Sequence, residues 1–382
     1  MKIVADANIP FVQECFSSVG DVEIMGGRDM TASAVADADA LLVRSITPVN
    51  EQLLGGSAVR FVGTATIGFD HIDLDYLDAN HIGFASAPGS NANSAAEYII
   101  AALLDVGQRH EIQLEGKSIG IIGVGNVGSR VAKKCEALGM HVRRNDPPLQ
   151  RQTGDPNYVP IEAVHDCDFI TLHTPLTREG IDKTFHLADG RFFSSVKRGA
   201  VFLNASRGAV VDSESLAIAG RLGPVVLDVW ENEPNIDVEL LSGVDLVSPH
   251  IAGYSLDGKI AGLIMIYRAL CENFGLEPKR DAGDFLPEPE VPVVDVRAVQ
   301  GDDEAALAHA VKSVYSIQRD DEATRQIVEK PSEERGRFFD ALRKNYPVRR
   351  EFHNTTAIVD EPGGALVRKL LGIGFQVKGR QS

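Results

Sequence analysis

Cysteine and cationic side chains are scarce in this chain, and each scarcity removes a class of protein. Four cysteines (Cys15, Cys135, Cys167, Cys271) are scattered through 382 residues with no CxxC pair and no histidines at zinc-type spacing. That excludes a disulfide frame and a zinc site, and reads as reduced thiols in a cytoplasmic protein. Lysine and arginine number 38 against 54 aspartates and glutamates, a net charge of −16. A nucleic acid or an anionic membrane is therefore not the expected partner, and any anionic substrate must be held by positive charge gathered locally. No apolar run approaches the ~20 residues of a membrane span. The opening MKIVADANIP reads as a first strand rather than a signal peptide. With 44% hydrophobic residues, the chain has the composition of a globular protein and the length for two or three domains.

Short apolar runs alternate with helix-sized stretches. KIVAD, ALLVRS and RFVGTA predict strands, and FVQECFSSVG predicts a helix ending at glycine. This is a βαβ pattern and implies a parallel sheet. From Ser94 the texture changes to a long apolar helix, SAAEYIIAALLDVGQRHEIQLEG, whose start carries a capping-box pair, Ser94 and Glu97. Six further strand-like runs follow, KSIGIIGVG, HVRRND, DFITLHTP, AVFLNAS, PVVLDVW and DLVSPH, a number that suits a dinucleotide-binding sheet. The helix-like LDGKIAGLIMIYRALCENFG has the length to cross back to the first domain, and the proline-bearing residues 277–293 read as a linker. The remainder alternates strand, helix, helix, strand, helix, strand. The expected fold is α/β: two Rossmann-like, doubly wound parallel-sheet domains and a small C-terminal α+β domain. The expected bounds are 1–93 plus about 257–280 for substrate, 94–256 for nucleotide and 290–382 for dimerisation.

Gly123-Val-Gly125-Asn-Val-Gly128 follows the strand SIGII and opens a helix. The first two glycines allow a tight turn and close approach of backbone N–H groups to a pyrophosphate. The third allows helix and strand to pack closely, and the helix N-terminus attracts the anion. Asp146 lies 18 residues after Gly128 at the end of the next strand, placed to accept from ribose hydroxyls and so to favour NAD over NADP, although Arg143 and Arg144 beside it weaken that exclusion. Three ionisable residues each follow a predicted strand: Arg207 in NASRG, Glu233 in DVWENEP and His250 in SPHIAGY. Ligands of open α/β sheets bind outside the carboxyl ends of the strands, so the three can converge. Oxidation of an alcohol needs a base for its proton, and histidine titrates nearest neutrality. A neighbouring carboxylate orients the ring, and a guanidinium grips a substrate carboxylate. Each residue alone also has a plainer reading as a turn residue, a cap or a surface ion pair.

The ordered set GVGNVG, the Asp146 strand end, LHTPLT, NASRGAVVD, LDVWENEP and SPHIAGY resembles the D-isomer-specific 2-hydroxyacid dehydrogenases over roughly residues 1–275. The resemblance implies that Arg207, Glu233 and His250 are the catalytic arginine, glutamate and proton-exchanging histidine; Glu231 does not match. It implies cofactor contacts at Gly123, Gly125, Asn126, Val127, Gly128, Asp146, Thr174, Ala205, Ser206, Arg207, Asp228 and Gly253. It implies substrate contacts at Ser45, Thr66 and Tyr254, joined by Arg44 and by one arginine of the pair Arg349 and Arg350, assigned here to Arg349. GFDHID at residues 68–73, the tyrosine of PHIAGY and the terminal YPVRREF suggest the subgroup that acts on a phosphorylated four-carbon acid. The expectations are then NAD as cofactor, no metal, a small phosphorylated hydroxy acid bound as one domain closes on another, and a cytoplasmic homodimer joined through the terminal domain. A dehydrogenase for the shorter 3-phosphoglycerate is the rival within the class. An NAD-sensing co-repressor is the rival outside it, because the fold also serves binding proteins.

Overall fold

The computed structural model describes residues 1–382 apart from Ser45, Ile67, Pro362 and residues 380–382. The chain divides into two units, one made of residues 1–91 and 255–288, the other of residues 92–254 and 289–382.

The first unit carries β1 (Lys2–Asp6), β2 (Asp21–Met25), β3 (Ala40–Val43), β4 (Phe61–Thr64) and β5 (Gly83–Ala85). All pair in parallel in the order β2-β1-β3-β4-β5. This is the 2-1-3-4-5 order of flavodoxin-like sheets, with the reversal between β1 and β3. Both faces are covered, as parallel sheets require. Ile3, Ala5 and Leu42 face one core with Ile260, Leu263 and Tyr267 of the helix Leu256–Asn273. Val4, Leu41 and Val43 face the other, with Val35 and Leu54. The proline-bearing stretch is less free than a linker: Phe285 is buried in the first unit's core, and Lys279 N–H donates to the Tyr267 hydroxyl at 2.9 Å.

The second unit carries β6 (Ser118–Ile122), β7 (His141–Asn145), β8 (Phe169–Leu172), β9 (Val201–Asn204), β10 (Val225–Leu227) and β11 (Leu246–Val247), in the order β11-β10-β9-β8-β6-β7 and all parallel. Tyr158 adds a single parallel bridge beyond β7 through Arg144. With that vestigial position counted, the order is the 3-2-1-4-5-6 series of dinucleotide-binding sheets with β11 added as a seventh strand beyond β10, and the brevity at Tyr158 explains why no strand is legible there. The terminal strands β12 (Val293–Asp295), β13 (Thr356–Val359) and β14 (Gln376–Gly379) form a third parallel sheet in sequence order.

This terminal segment shares a core with the nucleotide-type layer. Leu307, Val311, Phe352, Leu370 and Ile373 belong to one continuous cluster with Ile99, Leu103, Val131 and Ile119. A helix unforeseen from the sequence, Ile317–Arg325, anchors it further, since Asp321 accepts from Val247 N–H at the end of β11. The capping box is not formed. The long helix starts at Ala92, two residues before Ser94. The buried Glu97 carboxyl accepts instead, through Oε1, from Phe352 N–H at 3.1 Å and from the Asn93 amide at 3.0 Å.

Candidate active site

The glycine loop leaves β6 and enters the helix Asn126–Ala137. Gly123 has φ 85°, and a Cβ there would meet the His173 carbonyl carbon at 2.7 Å, so only glycine fits. A Cβ on Gly128 would lie 2.0 Å from the Gly123 carbonyl oxygen, which is the close helix–strand packing the motif requires. Around Gly125 no atom lies within 4 Å of an added Cβ, and no side chain caps the helix it opens. Space and free N–H groups together suit an anionic phosphate. Across the loop, Thr174 Oγ1 and His173 Nδ1 are buried with no hydrogen-bond partner. Orphaned buried polar atoms at this spot fit a polar ligand. Burial also pushes the His173 pKa down to about 3, so this imidazole is neutral. Asp146 accepts from Val124 N–H at 2.8 Å and Leu149 N–H at 3.0 Å. Its carboxylate thus ties the glycine loop to the end of β7 and keeps lone pairs for ribose hydroxyls.

The next residues line the carboxyl edge of β9, β10 and β11, which are neighbours in the sheet. After β9, the Asn204 side chain accepts from Ser206 N–H at 3.0 Å and Oγ at 2.8 Å, and donates to the Arg207 carbonyl at 3.1 Å. That fixes the turn Ala205–Arg207. The Arg207 side chain donates to the Ser206 carbonyl at 2.7 Å. It makes no hydrogen bond to Glu233 or His250, so two of the three expected catalytic residues are in contact and the third is a near neighbour along the sheet edge. Gly208 packs on the backbone of Trp230, where a Cβ would fall 2.0 Å from the carbonyl. The arginine turn and the glutamate turn therefore approach closely only because residue 208 is glycine.

After β10, Asp228 is fully buried and organises the histidine loop. Its Oδ1 accepts from Ser248 Oγ at 2.6 Å and Ile251 N–H at 2.7 Å, and its Oδ2 from Ala252 N–H at 3.0 Å. His250 N–H donates to the Asp228 carbonyl at 2.7 Å. These bonds hold His250 at φ 60°, a left-handed conformation that costs a non-glycine residue about 1–2 kcal/mol. Gly253 continues this loop, and Tyr254 N–H closes it by donating to Ile251 O at 2.8 Å. Glu233 Oε1 accepts from Trp230 N–H at 2.7 Å, and Oε2 meets His250 Nδ1 at 2.7 Å. Imidazole and carboxylate side chains are 31% and 19% exposed, reachable by a substrate yet partly withdrawn from water. With the proton on Nδ1 shared to Glu233, Nε2 keeps a lone pair and can take a proton. Glu231 is used elsewhere, against His186 Nε2 at 2.7 Å.

In the first unit, Arg44 follows β3 and donates to the Asn8 carbonyl at 3.3 Å. Thr66 follows β4, with Oγ1 2.7 Å from Thr64 Oγ1 and donating to Gly68 O at 2.9 Å. Ser45 lies outside the described residues. Arg349 departs from expectation. It is buried, donates to the carbonyls of Ser94 (3.0 Å) and Ala252 (2.7 Å), and lies 4.5 Å over the Tyr315 ring. Its Nη2 thereby ties the histidine loop to the long helix, while its Nε and Nη1 are buried with no hydrogen-bond partner. Arg350 is also buried and donates to Asn354. Arg343, also of the terminal segment, has Nη2 3.3 Å from the hydroxyl of Tyr254, an expected substrate contact. Sequence reasoning missed Asn204, His173, Ser248 and Arg343. The first three stand inside motifs already singled out, whereas nothing in the sequence pairs Arg343 with Tyr254. Among the described residues, no group of three or more His, Cys, Asp or Glu side chains is placed to hold a metal ion, and no helix is long and apolar enough to cross a membrane.

A glycine-lined anion cradle beside a His–Glu pair at the carboxyl edge of a doubly wound sheet defines an NAD-dependent dehydrogenase of hydroxy acids. The comparisons agree. Residues 100–252 match the D-isomer specific 2-hydroxyacid dehydrogenase NAD binding domain, and residues 285–374 match a domain described as of unknown function. Erythronate-4-phosphate dehydrogenase of Salinibacter ruber is 46% identical over 377 residues, covering 96% of this chain and 95% of that one. The Marinobacter nauticus enzyme of the same name is 43% identical over 384 residues, covering 99% and 100%. Among solved structures, NAD-bound 3-phosphoglycerate dehydrogenase of Entamoeba histolytica shares the fold with a TM-score of 0.59 at 24% identity, over 72% of this chain and 95% of that one. The chain belongs to the D-isomer-specific 2-hydroxyacid dehydrogenase family, on the branch of the erythronate-4-phosphate dehydrogenases.

Proposed function

We propose that the protein oxidises 4-phospho-D-erythronate at C2 to 3-hydroxy-2-oxo-4-phosphobutanoate, a step in pyridoxal phosphate synthesis. The observation that carries the reading is the 2.7 Å contact of His250 Nδ1 with Glu233 Oε2, in a chain whose full-length relatives bear that enzyme's name. His250 Nε2 takes the C2 hydroxyl proton, and Glu233 holds the ring in the tautomer that allows it and steadies the imidazolium that results. Arg207 grips the substrate carboxylate and polarises the C2 oxygen. Its present bond to its own neighbour's carbonyl is easily exchanged for a stronger charge-assisted one. NAD, when bound, supplies the acceptor for the C2 hydride. The residues to hold it are the 123–128 loop, Asp146, Thr174 and the turn Ala205–Arg207. Gly253 belongs to the same edge, and Asp228 serves the cofactor by shaping the loop above it.

Tyr254, Arg44, Ser45 and Thr66 are the proposed substrate contacts. The favoured four-carbon substrate is distinguished from 3-phosphoglycerate by comparing initial rates of NAD reduction with the two acids. A higher kcat/KM for 4-phosphoerythronate supports the assignment, and preference for the three-carbon acid refutes it. We further propose a cytoplasmic homodimer joined through the terminal segment. Exposed apolar residues there, Val293 (54%) on the edge strand β12 and Val348 (64%), support this reading. Light scattering that gives the mass of one chain would refute it.

A further inference from the structure

We propose that Arg343 is a specificity-determining residue that receives the distal phosphate of the substrate together with the Tyr254 hydroxyl. The proposal rests on the functional reading above and adds to it a residue of the terminal segment.

Arg343 stands in the last turn of the helix Ser332–Lys344. Phe339 is wholly buried in the same core as Trp230 and Ile236, which fixes the helix. Gly336 fits closely against the active-site turn, since a Cβ there would lie 2.6 Å from Asn235 Oδ1 and 3.4 Å from Pro234 Cγ. The helix therefore leans on the turn that bears Glu233. Seven residues on, it places a guanidinium beside the loop that bears His250.

At that position Arg343 Nη2 is 3.3 Å from Tyr254 Oη, and Cζ is 6.0 Å from the centre of the Tyr254 ring. Tyr254 is braced on its other side by Tyr346, edge to face at 5.9 Å. Acidic compensation for Arg343 is weak: its ion pair with Asp340 is 3.9 Å long, and that aspartate is 63% exposed. Its Nε is buried and has no acceptor. A guanidinium in this state has N–H groups to offer the oxygens of a phosphate. Arg349, also near this loop, spends its Nη2 on the carbonyls of Ser94 and Ala252. In a chain with a net charge of −16, a dianionic phosphate needs such a local cation.

The test compares wild-type full-length protein with Arg343→Gln and Arg343→Lys, using 4-phosphoerythronate and unphosphorylated erythronate. Arg343→Gln is expected to raise KM for the phosphorylated acid about ten- to a hundredfold, the range carried by a charge-assisted hydrogen bond. The erythronate KM, the NAD KM and kcat should stay within about twofold, and Arg343→Lys should recover part of the loss because it keeps the charge and loses the fork. An unchanged KM for the phosphorylated acid overturns the proposal. So does an equal rise for both acids, which would mean that Arg343 merely props Tyr254. Wild-type protein that fails to oxidise 4-phosphoerythronate removes the functional reading itself; an active wild type with an insensitive Arg343→Gln removes only this inference.

Discussion

The proposed chemistry rests on a few side chains whose protein contacts leave one function open. His250 is held by Glu233 through Nδ1 and by Asp228 through its backbone N–H, so Nε2 is what remains for a substrate proton. His250→Ala is expected to lower kcat by about 10² to 10⁴, the range for loss of a general base, in steady-state assays of NAD reduction. Loss of less than about threefold would show that proton transfer lies elsewhere. The meeting of His250 and Glu233 was legible in the sequence because each follows a strand in a motif of fixed order. The burial of Arg349 was not legible, because charge and position say nothing of it: in the fold it lies inside, with Nη2 on two carbonyls. The four cysteines are all buried, and burial pushes every thiol up. Burial thus keeps them as thiols rather than reactive thiolates.

At the scale of elements, the loop 248–254 and the helix Ala92–Arg109 carry the most consequence. Asp228→Asn keeps one acceptor where the loop presents donors from Ser248, Ile251 and Ala252. It should cost about 1–3 kcal/mol of stability, read from denaturant unfolding, and should lower kcat as His250 loses its setting. Within the helix, Glu97 is raised from 4.5 to about 8, chiefly by burial and next by the Glu351 charge, against the opposing pull of Lys134. The folded state therefore holds a proton that the unfolded chain releases near 4.5. Stability is fully present below that value and declines as pH rises toward 8. Glu97→Gln should flatten this decline in thermal melts taken between pH 5 and 8; an unaltered slope would assign it to other groups. The sequence signals this helix clearly and misplaces its start, because the Ser94–Glu97 pair mimics a capping box while Glu97 in fact binds Phe352 N–H, 255 residues away along the chain.

For the molecule as a whole, the strand runs and glycine punctuation announced two parallel sheets, and both are present. The outer position at Tyr158 shrank to one bridge and left no pattern to read. The terminal sheet was foreseen, but its attachment was not. Helix faces such as Leu307–Val311 look alike in sequence whether they close a separate core or join a neighbour's. Here they join Ile99 and Leu103. Deleting residues 289–382 should therefore destabilise the nucleotide-type layer. Circular dichroism is expected to show lost cooperativity in the truncated chain, and an intact cooperative transition would contradict the shared core.

The most direct test of the account is the initial rate of NADH formation by wild-type protein and His250→Ala, each with 4-phosphoerythronate and 3-phosphoglycerate. The account predicts a wild-type kcat/KM that favours the four-carbon acid and a His250→Ala rate lower by at least about a hundredfold. Wild-type protein that binds NAD yet reduces none of it with either acid, or a variant as fast as wild type, would contradict it.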